Sequence, residues 1–295
     1  MQDMSGKTVL ITGPTNGIGR ATAVNLAKAG ANLHLLCRNA AKARTLQEDL
    51  RKVNPEIEVE VLLCDLGDFA SVRQAASAFE AKGLALDVLI NNAGILNTKH
   101  VVRPDGIEEM FAVNHLGHFL LTHLLMPALL RAPAARVVVV ASGAYLMCKT
   151  LRLDDLAWAK GFRPLKAYGH SKLANILFMR ALAKRLEGSA ITVNALHPGE
   201  VTTGLGRQNG WWVSALHRLA SPFFRNPNQG AATSLYLAMS PDVEGLSGEY
   251  FDDCKVEVTK PWGADMNMAE DLWTASEALV GGVPSLFNSK AEVPK

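Results

Sequence analysis

Near its amino terminus the chain reads TVLITGPTNGIG, from Thr8 to Gly19. The β-branched run Thr8–Thr12 is typical of a buried strand, and an amphipathic helical pattern begins near Gly17. Glycines between a strand and a helix often mark only a turn. Here they would also admit a pyrophosphate, because glycine has no Cβ and a helix N-terminus offers free N–H groups. Pro14 removes one potential donor. The stretch predicts a dinucleotide-binding turn, with contacts from Gly13, Thr15, Asn16, Gly17, Ile18 and Gly19.

Beyond this stretch, short β-branched runs alternate with amphipathic stretches along most of the chain. That pattern is expected of a parallel sheet covered by helices on both faces. We predict an α/β fold, a single doubly wound (Rossmann-type) parallel sheet of about seven strands, in a single domain over residues 1–295. The predicted strands are Thr8 to Thr12, Asn32 to Cys37, Glu58 to Cys64, Val88 to Asn91, Arg136 to Ala141, Ile191 to Leu196 and one near Gly248 to Phe251. The predicted helices cover residues 17–29, 41–53, 69–82, 107–131, 167–186 and 229–239.

The composition is that of an ordinary globular protein. Of 295 residues, 48% are hydrophobic and 20% are charged, with a mean hydropathy of +0.09. These values exclude a disordered chain, a collagen and a disulfide-stapled mini-protein. The formal net charge of +2 gives no broad field of one sign, although a local patch stays open. We therefore expect no nucleic-acid partner.

The cysteines and the apolar stretches bear on the cellular compartment. Cys37, Cys64, Cys148 and Cys254 are far apart and form no C-x-x-C pair, which indicates free thiols in a reducing compartment and no structural zinc. The two longest charge-free apolar stretches are interrupted by His, Pro, Ser or Gly before they reach the ~18 to 20 apolar residues of a membrane span. We predict a cytoplasmic protein without a membrane span.

Two segments fit the strand and helix alternation poorly. Residues 143–166 form a long connection between a strand and a helix, and residues 204–228 are rich in Trp and Phe. Long connections inside a compact domain are usually functional. We expect residues 204–228 to form a substrate-binding lid, and residues from about 265 to 295 to form a C-terminal tail.

The glycine spacing is G-x-x-x-G-x-G instead of the commoner G-x-G-x-x-G, and T-G-x-x-x-G-I-G resembles the short-chain dehydrogenase/reductase family. Asn91–Gly94, after the fourth predicted strand, is similar to the family's N-N-A-G element, although a strand-ending turn would have the same residues. Asp65 and Leu66 resemble the pair that meets the adenine ring, and a helix N-cap is the competing role for Asp65. The resemblance implies cofactor contacts from Asp65, Leu66, Asn91, Ala93 and Gly94.

A second cofactor element follows the sixth predicted strand. Pro198–Thr203 matches the family's P-G-x-x-x-T, which implies nicotinamide contacts from the backbone of Val201 and from Thr203, beside Pro198 and Gly199. All of these segments follow the carboxyl ends of strands, where ligands of open α/β sheets bind.

The end of the second predicted strand bears on which nicotinamide cofactor is used. An NAD site needs an acid there for the ribose 2′-OH, whereas a 2′-phosphate needs a cation. Cys37 stands at the acid's usual place and Arg38 follows it, with a planar guanidinium suited to phosphate and no carboxylate near in sequence. A surface arginine that caps the strand is the competing interpretation. We predict NADP(H), with NAD(H) disfavoured.

Tyr168 and Lys172 lie four apart in a predicted helix, hence on one face. Such a pair alone is common on helix surfaces. Hydride transfer to a carbonyl leaves an alkoxide that must be protonated, and a tyrosine of pKa ~10 is a poor base at neutral pH. A neighbouring ammonium and an oxidised nicotinamide would depress that pKa by about 2 to 3 units, roughly 3 to 4 kcal/mol. We predict Tyr168 as the general acid/base, which also contacts the cofactor together with Lys172.

Two further polar residues complete the predicted catalytic set. Ser142 ends the apolar run Val137–Ala141, where its hydroxyl can polarise a substrate carbonyl. Asn114 is disfavoured inside a helix, and the resemblance implies that it helps to bind a water that relays protons to Lys172. Asn114, Ser142, Tyr168 and Lys172 stand in the family's order and form the predicted catalytic tetrad.

The match to the family runs from Lys7 to about Gly281, and segments near 167–175, 196–199, 228–231 and 271–276 resemble its retinol dehydrogenase branch. Anchored members of that branch carry an apolar N-terminal segment. Here the first predicted strand begins after seven residues, so the resemblance does not lead us to expect that this protein resides in a membrane.

The Trp/Phe-rich segment bears on the substrate. Its apolar stripe is typical of a lid over a hydrophobic substrate, and a peripheral membrane contact or a homodimer contact is the alternative. We predict a hydrophobic aldehyde or ketone, retinoid-like, steroid or aromatic, and its alcohol. The predicted substrate-binding residues are Gly143, Tyr145, Trp211, Trp212 and Leu216.

Other features suggest rival functions. His115, His118 and His123 share a helical spacing but lack an acidic partner, so we interpret them as a helix interface and predict no metal site. Gly169-His170-Ser171 begins a G-x-S-x-G esterase elbow, but Leu173 occupies the final glycine position and the motif falls inside a helix. The remaining rival is a non-catalytic, NADPH-binding regulatory or scaffold protein.

Overall fold

The computed structural model describes residues 2–199 and 226–283. Its centre is one eight-stranded sheet with the strand order β3-β2-β1-β4-β5-β6-β7-β8. Strands β1 to β7 all run parallel to one another, and β8 is antiparallel to β7. The strands are β1 Thr8–Thr12, β2 Asn32–Cys37, β3 Val59–Leu63, β4 Val88–Asn91, β5 Ala135–Val140, β6 Ile191–His197, β7 Tyr250–Asp252 and β8 Lys255–Val256. The predicted fold class is confirmed. The eighth strand was not predicted, because a strand of two residues is too short to leave a period-2 pattern.

Helices cover both faces of the sheet. They are α1 Gly17–Lys28, α2 Ala40–Val53, α3 Phe69–Glu80, α4 Glu109–Phe111, α5 Gly117–Leu124, α6 Met126–Arg131, α7 Pro164–Arg185, α8 Pro227–Met239 and α9 Met266–Leu279. The helix predicted over residues 107–131 is divided, with a π-helical turn at Ala112–Leu116 between α4 and α5. Among the described residues, no helix combines the length and apolarity that crossing a bilayer requires.

Short polar side chains mark where several helices begin. Asn39 accepts a hydrogen bond from the backbone N–H of Lys42 at the start of α2, and Asp68 accepts one from Ala70 at the start of α3. Each satisfies a backbone donor that the first helical turn leaves unpaired. The cap of α3 is therefore Asp68, and the N-cap role considered for Asp65 is wrong.

The sheet divides the apolar core into two layers. Along β5, Val137 and Val139 face the layer covered by α3, α5, α7 and α9, whereas Val138 and Val140 face the layer covered by α1, α2 and α8. Side chains of a strand alternate between its two faces, and here both faces are buried. Each buried valine contributes about 1.5 to 3 kcal/mol, so the β-branched run fixes the centre of the sheet.

Helix α9 packs on the outside of the core layer that contains Val137 and Val139. Its Trp273 packs against the rings of Phe119 in α5 and Phe178 in α7. The Arg185 guanidinium lies 3.9 Å from the centre of the Trp273 ring and pairs with Glu270. The region expected to be a tail from about residue 265 thus begins with a packed helix, while residues 284–295 lie outside the described part of the chain.

The strand order places the loops that follow β1 and β4 side by side. Connections leave β1 towards β2 and leave β4 towards β5, in opposite directions across the sheet, so a crevice forms at this switch point. The carboxyl ends of β5 and β6 lie next along the same edge. Every cofactor and catalytic residue predicted from the sequence and described in the structure lies at this edge or on a helix packed beside it.

Candidate active site

The turn after β1 has the backbone that its glycines were expected to supply. Gly13 adopts φ +64° and Gly17 φ +54°, which side chains rarely tolerate. Asn16 caps α1, with its side chain accepting from the N–H of Gly17. A Cβ on Gly19 would lie 2.5 Å from both Asn92 Nδ2 and the carbonyl oxygen of Gly13. The turn therefore leaves no room for a side chain there, and Thr15 and Ile18 lie partly exposed on it.

The β1 turn is joined to the loop after β4 by hydrogen bonds. Thr12 Oγ1 accepts from the backbone N–H groups of Asn92 and Ala93, both at 2.9 Å. Asn92 Nδ2 donates to the carbonyls of Thr12 at 2.7 Å and Gly13 at 3.3 Å. These bonds hold the predicted N-N-A-G element against the glycine turn, so the element is more than a strand-ending turn.

Arg38 is exposed at the end of β2, and its Nη1 lies 3.7 Å from Asp65 Oδ2. No carboxylate lies near Arg38 in the sequence, but Asp65 approaches it from the end of the neighbouring strand β3. At Cys37, burial raises the pKa of the thiol to about 11, so this residue supplies no negative charge to the site. Arg38 and Asp65 thus share the place where a ribose 2′-substituent was predicted to bind.

Two predicted cofactor residues face the protein interior with their side chains. Asn91 is 1% exposed, and its Nδ2 donates to Thr122 Oγ1 at 2.9 Å. Leu66 is buried where Gly117 of α5 passes so close that a Cβ on the glycine would collide with the carbonyl oxygen of Leu66. Any contact of Asn91 with a cofactor is therefore left to its backbone.

Ser142 follows β5 and caps the 3₁₀ turn Gly143–Met147, with its Oγ accepting from the N–H of Ala144 at 3.2 Å. An interaction with the same hydroxyl favours the ionised form of the Tyr168 phenol and so acts to lower its pKa. Gly143, predicted to contact substrate, donates its N–H to His197 Nδ1 at 3.1 Å. The ends of β5 and β6 and the middle of α7 therefore meet at Ser142.

Tyr168 and Lys172 lie on one face of α7, as predicted, and both are buried. Lys172 Nζ lies 5.6 Å from the centre of the Tyr168 ring and donates to the carbonyl of Val140 at 2.9 Å. An ammonium can donate three hydrogen bonds. Tyr168, Lys172 and Ser142 thus form one compact group.

Burial governs the ionisation of this group. It raises the pKa of Tyr168 to about 12, with the bond from Ser142 acting in the opposite direction, and it lowers the pKa of Lys172 to about 8. From the sequence we expected an ammonium and an oxidised nicotinamide together to lower the pKa of Tyr168. Within the chain's own residues the loss of hydration outweighs the nearby ammonium, so a lowered pKa would depend on the positive charge of an oxidised nicotinamide.

Asn114 lies fully buried in the π-helical turn. Its Oδ1 accepts from the N–H of Ile95 at 2.8 Å, and its Nδ2 donates to the carbonyl of Ile95 and to Ser171 Oγ, each at 3.0 Å. A Cβ built on Gly94 would lie 3.6 Å from both Asn114 Oδ1 and Lys172 Nζ, so amide and ammonium face the same small space. Both amide hydrogens of Asn114 are used inside the protein, and the water predicted there stays a prediction.

Tyr145 does not lie where a substrate residue would. It is 4% exposed, its hydroxyl accepts from the N–H of Lys260 at 3.1 Å, and its ring packs against Tyr250. Tyr145 therefore anchors the segment after β8, which argues against the predicted substrate contact. The predicted cofactor residues Pro198 and Gly199 end the described part of this loop, with Gly199 at φ +78°. Val201, Thr203, Trp211, Trp212, Leu216 and most of the predicted lid lie outside the described residues.

The rival motifs have structural explanations. Ser171 is buried in α7 and donates to the carbonyl of Tyr168 at 2.8 Å, so it is not a nucleophile exposed on a turn between strand and helix. His115 contacts Ser276 of α9 at 2.9 Å. His123 contacts the carbonyl of Phe119 at 2.8 Å, and its ring packs on Trp273. Burial lowers the pKa of both rings, and they lie in helix packing, as we interpreted them.

Four polar residues of the site were not predicted from the sequence: Thr12, Asn92, His118 and His197. Thr12 and Asn92 stand inside the motifs that were quoted, so their position was available as a signal. His197 also stands in a quoted segment, residues 196–199. His118 had no such signal, because its role depends on a contact with Thr12, far away in the chain.

Comparisons with known proteins agree with this geometry. The family model described as short chain dehydrogenase matches residues 7–213. Retinol dehydrogenase 14 of Homo sapiens is 46% identical, with 94% of this chain and 87% of that protein covered. Retinol dehydrogenase 12 of Mus musculus is 44% identical with the same coverage.

Solved structures show the same arrangement of strands and helices. An uncharacterized protein from Mycobacterium paratuberculosis has a TM-score of 0.77 and 32% identity, with 96% of this chain and 97% of that chain covered. The NADP active-site complex of Pseudomonas aeruginosa RhlG has a TM-score of 0.68 and 27% identity, covering 84% of this chain and 95% of the other.

Proposed function

The chain belongs to the short-chain dehydrogenase/reductase family, and from this membership we propose that it is an NADP(H)-dependent oxidoreductase interconverting a hydrophobic aldehyde or ketone with its alcohol. The observation that carries the proposal is that Ser142, Tyr168 and Lys172 meet at the carboxyl edge of the sheet. They lie beside the glycine turn after β1, where the backbone leaves no room for a side chain on Gly19.

The residues of the edge fit a nicotinamide dinucleotide. The free N–H groups at the start of α1 and the glycines before it suit a pyrophosphate, and Lys172 retains donors beyond its bond to Val140. When bound, the cofactor supplies or accepts the hydride. The chain's own residues do the remaining work, which is to hold the reactants and to move one proton.

In the direction of reduction, Tyr168 is the proton donor to the oxygen of the new alcohol. Its raised pKa keeps the phenol protonated at neutral pH, which suits an acid more than a base. Ser142 Oγ accepts from Ala144, and with a substrate bound its proton can turn from the Tyr168 phenol to polarise the substrate oxygen. The Lys172 ammonium stabilises the phenolate that Tyr168 leaves behind. In the reverse direction the same phenolate removes the alcohol proton.

The preference for NADP(H) rests on Arg38. Its guanidinium is exposed at the end of β2, beside Cys37 where an NAD site would need an acid. Asp65, 3.7 Å away, would then orient the guanidinium and moderate the gain from a 2′-phosphate. The similar Pseudomonas aeruginosa protein was solved with NADP, which supports the same choice.

The proposed substrate class includes retinoid-like, steroid and aromatic carbonyls. It is supported by the relatives named retinol dehydrogenase and by the apolar composition of segment 204–228. The assignment of that segment to a lid, instead of a peripheral membrane or homodimer contact, stays a prediction from sequence. We place the protein in the cytoplasm, in keeping with four free cysteines; cell fractionation tests this.

The proposal is tested by following NADPH oxidation against aldehydes and ketones of graded size and lipophilicity. Tyr168→Phe should lower kcat by about 10² to 10⁴-fold, the usual contribution of a general acid/base, while NADPH affinity is retained. Tyr145→Phe is the matched control, because it removes a buried hydroxyl outside the reacting group. Normal turnover by Tyr168→Phe would refute the mechanism, and NADPH binding without turnover of any carbonyl would favour a regulatory protein.

A further inference from the structure

His118 joins the two parts of the site from inside the protein. It lies in α5, is 2% exposed, and uses both ring nitrogens. Nε2 lies 2.8 Å from Thr12 Oγ1, and Nδ1 lies 3.0 Å from the backbone carbonyl oxygen of Asn114. Thr12 precedes the glycine turn, and the Asn114 side chain contacts Ser171, the residue next to Lys172. One imidazole therefore bridges the nucleotide-binding turn and the catalytic asparagine.

The direction of these two bonds follows from the partners. A carbonyl oxygen can only accept, so His118 Nδ1 must carry the hydrogen. Thr12 Oγ1 already accepts from the N–H groups of Asn92 and Ala93, which uses both of its lone pairs. Its own hydrogen then has two acceptors within reach, His118 Nε2 at 2.8 Å and the Ile90 carbonyl at 3.4 Å, and the shorter contact assigns it to His118 Nε2. Two independent observations thus assign the same neutral tautomer.

The carbonyl that His118 binds lies in the irregular part of the helix. Asn114 is within the π-helical turn Ala112–Leu116, where the regular ladder of i to i−4 bonds is interrupted, as is common at functional sites. The His118 N–H supplies a fixed donor to this turn. Asn114 is then held from two sides, by His118 at its backbone and by Ile95 and Ser171 at its side chain.

The charges around His118 favour the same neutral state. Burial lowers its pKa to about 4, and the nearby Lys172 ammonium acts in the same direction, whereas the bond to Asn114 opposes both. His115, the other titratable ring that interacts with it, is held neutral by burial. A protonated ring would also need an acceptor for Nε2–H, and Thr12 has no lone pair left to offer. The ring is therefore a constant donor and acceptor between pH 5 and 8.

We infer that His118 is a positioning residue for the reaction, which ties Asn114, whose amide faces the same small space as Lys172, to the Thr12 side chain that precedes the nucleotide-binding turn. The inference rests on the proposed function, since the reaction it serves is the one assigned to Tyr168 and Lys172. It extends that function to a residue whose side chain lies outside the tetrad.

Two substitutions separate the bonds from the packing. His118→Phe keeps a ring of similar volume but loses both hydrogen bonds, whereas His118→Asn keeps a donor near the position of Nδ1. His123→Phe, on the same helix, is the matched control. We expect His118→Phe to lower kcat by about tenfold or more and to shift the alkaline limb of its pH profile, with the KM for NADPH changed less than about threefold. His118→Asn should restore part of kcat, and His123→Phe should match the wild type.

A second measurement does not depend on turnover. In protein labelled with ¹³C-lysine, an NMR titration should show the midpoint of Lys172 moved by about 0.5 pH unit or more in His118→Phe. The reason is that the Asn114 amide, which faces the ammonium, is no longer fixed. In wild-type protein labelled with ¹⁵N-histidine, His118 should show hydrogen on Nδ1 and no titration between pH 5 and 8.

The results separate this inference from the proposed function. Lack of turnover in the wild type, with the Lys172 shift present, would refute the proposed function and keep the positioning role. An unchanged Lys172 titration, an unchanged kcat with an unchanged pH profile, or hydrogen on Nε2 of His118 would each overturn the inference.

Discussion

The two parts of the carboxyl edge of the sheet consist of different kinds of chemical group. The nucleotide part, the turn after β1 with the loop after β4, consists of glycines, backbone N–H groups and neutral side chains such as Thr12 and Asn92. The chemical part consists of titratable side chains buried in α7, above all Tyr168 and Lys172. The first part is defined by shape and the second by ionisation. Substitutions and pH should therefore affect them in different ways.

The largest expected effect tests the chemical part. Lys172→Ala should lower kcat for carbonyl reduction by about 10² to 10³-fold, because it removes the charge that stabilises the phenolate. Steady-state kinetics measure this, and Lys166→Ala, at an exposed position of the same helix, is the control. Since burial lowers the pKa of Lys172 to about 8, wild-type kcat should also decline above pH 8. Equal kinetics for the two alanine variants would contradict the role of the ammonium.

One added methyl group tests the nucleotide part. Gly19→Ala places a Cβ 2.5 Å from Asn92 Nδ2 and the Gly13 carbonyl, and overpacking of this kind costs about 1 to 3 kcal/mol. We expect NADPH affinity, measured by fluorescence titration, to fall by about tenfold or more. Gly83→Ala lies in the connection before β4, away from the carboxyl edge, with nothing within 4 Å of the added Cβ; this control should change the affinity by less than about threefold. If both variants bound NADPH equally well, the tight turn would not define the site.

Arg38 lies where the nucleotide part does use a charge. Arg38→Ala should weaken NADPH binding by roughly tenfold while NADH binding stays nearly constant, because a hydrogen bond to a charged group contributes about 1.5 to 3 kcal/mol and Asp65 already shares this cation. Isothermal titration with both cofactors measures the difference. Arg44→Ala, exposed on α2, is the control. Equal losses for the two cofactors would remove Arg38 from 2′-phosphate recognition.

The smallest effect lies outside both parts, in stability where α5 packs against α9. Burial lowers the folded-state pKa of His123 to about 4 from an ordinary 6.5, so the unfolded chain binds more protons between these values. The stability contributed by the neutral ring is present above pH 6.5 and is lost as pH falls towards 4. His123→Phe should therefore lose about 2 °C less in Tm than the wild type between pH 7 and 5, corresponding to ~1 kcal/mol. Scanning calorimetry measures this, with His100→Ala as an exposed control; parallel pH profiles would show that the buried ring does not contribute.

The sequence was most informative for the nucleotide part. Its strands, the glycine turn and the N-N-A-G element follow from local patterns, and β1, β2 and β4 have the bounds that the patterns predict. These features are local because backbone conformation at a turn depends on the residues in the turn itself.

The chemical part was predicted in identity but not in behaviour. Asn114, Ser142, Tyr168 and Lys172 could be named, but the sequence did not show that burial raises the pKa of Tyr168 in the protein alone, because that burial comes from residues far apart in the chain, such as Met110 and Trp158. The approach of Asp65 to Arg38 and the inward orientation of Tyr145 were missed for the same reason. Each contact joins residues far apart in the chain, so the sequence around either residue contains no pattern that predicts it.

Helix α9 has a consequence for how the protein is made. The aromatic face of Phe119 and Phe178 is complete once α7 has been synthesised, but Trp273, which covers it, comes much later in the chain. During translation that face stays open to water and to other nascent chains, a period in which exposed apolar surface promotes aggregation. Ribosome-bound chains that stop before Met266 should therefore need a chaperone, and those extended past Leu279 should not.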